Sequence, residues 1–403
     1  MTCGAADRTN RGFFRLASTA SITATPPALA AAGAARPGFV LRDVAWRDMA
    51  ADIAAWDALA LCAAEPNPFF ESWYLLPALR AFDEQGEIRL LRFDAGGDLA
   101  GILPLVRQRR YYRWPLPNLA NWLHGNCFLG VPLVAAGLER EFWEALLAWA
   151  DRHAGLGLFL HLSSIPLDGP LHAALSDVLA RQRRNAAIVH REDRAMLASD
   201  ETPANYFEAT LSGKKRKELR RQFARLAELG EPEFAQHLGT EGLDGWIEDF
   251  LKLELAGWKG LSGSALAAQP ATRHLFREAL SGAAARGRLE RRSLTLDGDP
   301  IAMLATFLTP PGAYSFKTAF DERYARYSPG VLLQRENLAI LSRPDIAWSD
   351  SCAAADHPMI DHIWRERRAI GRLSIAIGGS ARRALFGRLL RAETGREPTG
   401  IAP

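Results

Sequence analysis

The sequence predicts an α+β fold built as two related domains in tandem, each a mixed, mostly antiparallel sheet flanked by helices. Three observations lead there. A strand, an Asp- and Gly-containing turn and an apolar strand occur at 88–106 and again at 291–308. Two helical stretches precede each copy. Residues 313–337 then read as a strand, a charged loop and a helix start. The expected division is a disordered tail over 1–36, a first domain over 37–200 and a second over 201–395.

Composition narrows the function classes. The chain has 403 residues and a net charge of only +3, so any anionic partner must meet a local patch. The four cysteines, Cys3, Cys62, Cys127 and Cys352, form no CxxC pair and no zinc spacing, which predicts a reduced, cytoplasmic setting. No apolar run is long enough to span a membrane. Walker A, GxGxxG, HExxH and nucleophile-elbow patterns are absent. Arg8, Arg11 and Arg15 faintly suggest a targeting segment, but hydroxyl residues and Pro26-Pro27 interrupt any apolar core, so a tail is expected.

In order, a short strand begins at Phe39. A helix over 46–61 and an aromatic helix over 69–82 follow. The first hairpin turns at 94–98. Residues 114–132 look irregular. A helix at 138–153, a strand at 158–162, a helix at 167–181 and a strand at 186–197 complete the first half. The second half opens with a helical stretch over 203–229 and helices over 243–257 and 271–286. The second hairpin turns at 297–300. In 314–319, Ser315, Lys317 and Ala319 should share one strand face, with Tyr314, Phe316 and Thr318 on the other. Ser328 can cap the next helix and Pro329 fits its first position. That helix is apolar on most sides, so its polar turn from Gln334 to Asn337 must find partners or line a cavity. A strand at 370–377 and a helix at 380–393 close the chain.

Four stretches are candidates for chemistry. Seven Lys/Arg fall between Lys214 and Arg225, with Leu219, Phe223 and Leu226 as the buried stripe and Lys217, Arg221 and Arg225 opposite. This is either a solvated face or an anion-binding one, and cations at a helix start oppose the macrodipole unless something negative compensates. Trp258 and Lys259 sit in a Gly/Ser-rich loop after a helix, which is either a C-cap with a flexible loop or a grip on an anionic or ring-bearing substrate. Asp321, Glu322 and Tyr324 lie near a helix N-terminus, where a carboxylate and a phenol can move protons for an amine and a leaving thiolate. Asp356, His357, Asp361 and His362 lack the three-ligand spacing of a zinc enzyme, so structural or substrate-positioning roles are favoured over metal. His124, His153 and His161 lack partners in sequence and read as structural.

Taken together, GWKG at 257–260, SGKKRKELRRQ at 212–222, FKTAFDERYARYSPGVLL at 316–333 and DSCAAADHPMIDHIWRERR at 350–368 resemble the GNAT-type acyltransferases of the CelD/BcsL cellulose-biosynthesis family, relatives of the FemAB-like aminoacyltransferases. The resemblance covers most of 39–390. It implies two tandem N-acetyltransferase-like (GNAT) domains, with acyl-CoA (acetyl-CoA) as co-substrate, no metal, an amine or hydroxyl acceptor, and a setting in exopolysaccharide or cell-envelope biosynthesis, where a polysaccharide synthase complex is a partner. The family's donor loop carries Arg/Gln-x-x-Gly-x-Gly/Ala. Here the matching place, Arg326 to Val331, keeps one glycine, and Pro329 removes an amide. An acyl carrier protein or a charged tRNA is therefore an alternative donor.

On this resemblance Asp321 is the expected base, Tyr324 the acid, and Lys317 and Lys259 the holders of an anionic substrate group. Arg326, Ser328, Gly330 and Val331 would meet the donor with Lys217 and Arg221, and Trp258 and His357 the acceptor. The first domain is expected to be a degenerate copy that shapes the cleft. Two other classes stay open: aminoacyl transfer from tRNA, and a non-catalytic accessory of polysaccharide assembly.

Overall fold

The computed structural model describes residues 38–401 apart from 356, 358, 396, 398 and 399. The stretch expected as a tail, and Asp356, lie outside the described residues.

The first half runs β1 (Phe39–Ala45), α1 (Ile53–Cys62), α2 (Ser72–Phe82), β2 (Arg89–Ala95), β3 (Asp98–Gln108), β4 (Asn118–Asn121), β5 (Leu133–Val134), α3 (Glu139–His153), β6 (Phe159–Pro166), α4 (Pro170–Arg181) and β7 (Ala186–Leu197). The second runs α5 (Pro203–Thr210), α6 (Gly213–Ala227), β8 (Pro232–Leu238), α7 (Leu243–Ala256), α8 (Trp258–Leu261), α9 (Pro270–Ala285), β9 (Leu289–Leu296), β10 (Asp299–Thr309), β11 (Gly312–Phe320), α10 (Pro329–Asn337), β12 (Trp348–Asp350), β13 (Glu366–Ala376) and α11 (Ser380–Thr394).

Both expected hairpins form, β2–β3 and β9–β10. Each turns through two left-handed residues, Gly96 and Gly97 (φ 63° and 99°) and Asp297 and Gly298 (φ 51° and 86°), the geometry that matches strand twist. The strands join one sheet of 13 among the described residues, ordered β1-β2-β3-β4-β6-β13-β7-β12-β11-β10-β9-β8, with β5 on β3. Within it the two halves repeat a mostly antiparallel ladder. They are interleaved: β13, near the end of the chain, lies antiparallel between β6 and β7, and β7 in turn pairs with β12.

The largest apolar cluster draws on both halves. Helices α2 and α9 meet at its centre. A Cβ on Gly282 would come 2.9 Å from Trp73 Cβ, so glycine permits the approach. Phe69, Trp73, Tyr74, Phe307 and Phe316 interlock edge-to-face and stacked beneath them.

Some expectations shift. The stretch over 203–229 is two helices, broken at Leu211–Ser212, where the Ser212 hydroxyl accepts from Lys215 N–H at 3.3 Å and caps α6. β8 is exposed along most of its length, Phe234 and Leu238 included, so its sequence lacks the alternation of a half-buried strand. Ser328 does not cap α10 through its hydroxyl; its backbone is left-handed (φ 55°) instead. Gln334 and Asn337 are fully buried. Asn337 Nδ2 donates to Gln334 Oε1 at 3.3 Å, while Gln334 Nε2 and Asn337 Oδ1 have no partner. Among the described residues no helix is long and apolar enough to cross a membrane.

Candidate active site

Strands β11 and β12 start side by side and then part. They pair in parallel at Gly312/Trp348, Ala313/Ser349 and Tyr314/Asp350, and there the pairing stops. A Cβ on Gly312 would overlap the Trp348 ring at 2.4 Å, so this glycine lets the strands start together. Beyond Tyr314, β11 continues to Phe320 while the other chain turns away through Ser351 and Cys352. A cavity of about 450 Å³ opens in the gap.

A bulge shapes its wall. The register of β10 against β11 passes from Ala305/Lys317 to Thr306/Ser315, so Phe316 is the extra residue. Phe316 turns into the aromatic core, and Ser315 and Lys317 both border the cavity. The Ser315 hydroxyl is buried without a partner.

Lys317 is the central cation. Its Nζ lies 4.9 Å from the centre of the Phe128 ring and 5.6 Å from that of Phe316, and no carboxylate pairs with it among the described residues. Burial, assisted by the nearby charge of Lys259, lowers its pKa from 10.5 to about 8. Lys259 differs. Its Nζ contacts Glu254 Oε1 at 2.8 Å, and the other oxygen of this buried carboxylate accepts Leu266 N–H at 2.7 Å. Trp258 stands half-exposed at the rim, its amide donating to Glu322 Oε1 at 2.6 Å. His357 borders the same space with a buried, unpartnered Nδ1. Burial holds its pKa below the usual range, the charge of Lys259 acts in the same sense, and Asp361 opposes both.

Behind the cavity lies a buried ionic cluster. Asp350 Oδ1 accepts Cys352 N–H at 2.8 Å and lies 3.4 Å from Arg194 Nη1, while Arg368 Nη1 is 3.9 Å from Oδ2. Arg194 also donates to the Phe128 carbonyl at 2.8 Å, so the cluster fixes the ring under Lys317. Burial pushes the Cys352 thiol well above its ordinary pKa.

The structure thus gathers Lys317, Trp258, Lys259 and His357 around one space. Other expected residues stand apart from its lining. Asp321 is held by Arg323 in a two-point ion pair, at 2.6 Å and 2.9 Å, at the start of a short 3₁₀ turn. Tyr324 packs among Phe223, Leu226 and Tyr327. Arg326 is exposed over the Tyr327 ring, and Ser328 and Val331 are half-buried at the start of α10. Gly330 abuts the lining: a Cβ there would fall 2.7 Å from the sulfur of Met359, which borders the cavity. Lys217 and Arg221 are exposed, and Arg221 pairs with Glu218. It is Arg216 and Arg220 of the same helix that, with Arg335, border a second hollow of about 490 Å³. Sequence reading missed Phe128, Ser315 as an unpartnered group, Glu254 and Cys352. Cys352, inside a quoted motif, and Glu254, on the helix just before the Trp258–Lys259 loop, had a signal.

The first half has the matching gap, but it is filled. β4 and β6 pair in parallel at Leu119/Leu160 and Ala120/His161 and then part. There Asn121 Nδ2 donates to the carbonyls of Gly130 (3.0 Å) and Ser163 (2.9 Å), and its Oδ1 accepts Ser163 N–H at 2.8 Å. Gly130 N–H completes the seam on Ser164 O at 2.8 Å.

Residues 213–356 match the model of the acetyltransferase (GNAT) domain. A solved structure of FemX is 9% identical, with a TM-score of 0.52 over 84% of this chain and 98% of its own. The C-terminal domain of a protein named as a lysylphosphatidylglycerol synthetase, from Agrobacterium fabrum, is 12% identical with a TM-score of 0.51 over 85% and 97%. A protein of unknown function from Bacteroides thetaiotaomicron is 12% identical with a TM-score of 0.53 over 80% and 97%. No curated protein matches the sequence. The domain match and the repeated, interleaved sheet give a tandem GNAT fold, with the matched acetyltransferase domain in its second half.

Proposed function

We propose that the chain moves an acyl group from a thioester donor, acyl-CoA or an acyl carrier protein, to an amine or hydroxyl acceptor, and that the second half carries the reaction. One observation carries the reading: the open gap between β11 and β12, with the unpaired Lys317 beside it, against the sealed gap of the first half.

The residues present fit a donor. Beyond Tyr314, β11 has no β12 partner, and the Ser315 hydroxyl awaits one. The donor supplies an acyl group activated as a thioester. Lys317 holds a negative group of either substrate, in surroundings where such a contact is strong because water is scarce. His357, kept unprotonated near neutral pH and with Nδ1 free, accepts the proton of the attacking amine as the acyl–nitrogen bond forms, and can pass it to the thiolate released when the acyl–sulfur bond breaks. Trp258 borders the acceptor side. The Cys352 thiol stays protonated, which favours direct transfer over a thiol-bound intermediate. The resemblance to the CelD/BcsL family suggests a polysaccharide or envelope acceptor.

A second reading rests on α6, whose Lys214, Lys215 and Lys217 are exposed: the donor is an aminoacyl-tRNA. Thermal stability in the presence of acetyl-CoA, longer acyl-CoAs and free CoA separates the two. A rise in melting temperature with log concentration, lost in Lys317→Met, supports the CoA reading. No shift with any CoA, together with salt-dependent RNA binding, supports the tRNA one.

A further inference from the structure

Far along the sheet from the acyl-transfer cavity, the β3–β4 connection forms a rigid, projecting turn. Tyr111 and Trp114 close it with two backbone hydrogen bonds of 3.0 Å and 2.9 Å, and Tyr112 between them is left-handed at φ 50°. A non-glycine residue rarely takes that conformation, so the tip is set rather than loose. Two side-chain ties add to this: Tyr111 Oη donates to Glu393 at 2.7 Å, and Arg372 Nη1 donates to Tyr112 Oη at 2.8 Å. Yet the tip points its largest apolar groups outward. Tyr112 is 61% exposed and Trp114 56%. The adjoining turn, linked by Leu158 N–H to Pro117 O at 2.8 Å, exposes Leu156 at 84%, and α11 exposes Leu385 at 49%.

Between the tip and α11 lies a hollow of about 780 Å³, with Tyr112, Trp114 and Leu116 on one side and Phe159, Phe386 and Leu390 on the other. Its surroundings are cationic. No Asp or Glu occurs between Asp98 and Glu139, while that span contains Arg107, Arg109, Arg110 and Arg113. Arg107 approaches Asp43 only at 4.0 Å, and Arg113 lies over the Trp114 ring. Arg109, Arg110, Arg113 and Arg388 are exposed and hold no carboxylate among the described residues. Glu393, already engaged by Tyr111, is the acidic group at the hollow.

We infer that this face docks the protein on an anionic lipid bilayer, with Tyr112 and Trp114 at headgroup depth, the unpaired arginines on lipid phosphates and an acyl chain in the hollow. Exposed Trp and Tyr beside Arg suit the polar–apolar boundary of a bilayer, and the unpaired cations select a negative surface. A nucleic-acid partner would use the cations but leave the hollow without an apolar occupant.

The test is co-sedimentation of the full chain with vesicles of phosphatidylcholine alone and of phosphatidylcholine mixed with phosphatidylglycerol. Binding to the mixed vesicles only, weakened by salt, is expected. Arg109→Ala/Arg110→Ala/Arg113→Ala should reduce partitioning about a hundredfold. Trp114→Ser, an exposed change that leaves the core intact, should reduce it at constant charge, and circular dichroism of both variants confirms folding. Equal binding to neutral vesicles, no binding to either, or full binding by the folded variants would overturn the inference. So would RNA or protein capture that depends on the same arginines while vesicles do not bind.

Discussion

Lys317 holds its ammonium 4.9 Å from the centre of the Phe128 ring, joining a strand of the second half to a loop of the first, with no carboxylate to complete it among the described residues. The ring offsets only part of the cost of burying a cation.

That imbalance gives a pH signature. The pKa of Lys317 falls from 10.5 when unfolded to about 8 when folded, so between these values the unfolded chain binds more protons. Stability therefore rises with pH across this window, and below it the buried charge costs about 3 kcal/mol. Lys317→Met should melt higher than the parent at neutral pH, and the difference should vanish as pH approaches 10.5. The same variant should lose acyl transfer by about a hundredfold or more if the ammonium holds a substrate anion. Melting curves across pH and initial rates measure the two effects separately.

The proton acceptor can be tested by contrast. His357→Gln should depress turnover at neutral pH by about a hundredfold. Asp321→Asn should leave it nearly unchanged, because Asp321 is already committed to Arg323 away from the cavity. Loss of activity in the Asp321 variant alone would return the base to that position.

Asp350→Asn keeps an oxygen for Cys352 N–H but removes the charge between Arg194 and Arg368. Buried guanidinium groups then lose their shared partner, at a cost of about 3 kcal/mol that urea unfolding can read. Activity should fall as well, since Arg194 positions Phe128.

Asn121→Ala isolates the role of the first half. Three hydrogen bonds to backbone groups disappear from a buried seam, worth about 3 kcal/mol in all. Turnover per folded molecule should not change. A fall in kcat at unchanged folding would show that the sealed gap takes part in the reaction.

Much of the fold was legible in residue pattern. The two hairpins declared themselves through Gly-containing turns, and α3, α7, α9 and α11 through helical periodicity. β4 and β12 did not, because they are short and partly polar: buried Asn118 and Asn121 act as internal bonding groups there, which the chain shows only when folded. At the candidate site, Lys317, Trp258, Lys259 and His357 were found by residue type and neighbourhood. Phe128 and Glu254 were not, since one belongs to a distant loop and the other to the inner face of a helix. The bulge at Phe316 was equally invisible, because strand alternation carries no mark of an extra residue until its partner strand is known.

The place of β13 between β6 and β7 bears on how the chain is made. Synthesis delivers the first half long before Glu366, so during elongation β6 and β7 lack the strand that joins them. Two sheet edges then wait, open to water and to other chains, until β13 has emerged. The first half cannot complete its sheet ahead of β13. A chain cut short before β13 leaves β6 and β7 without the strand that joins them in the sheet.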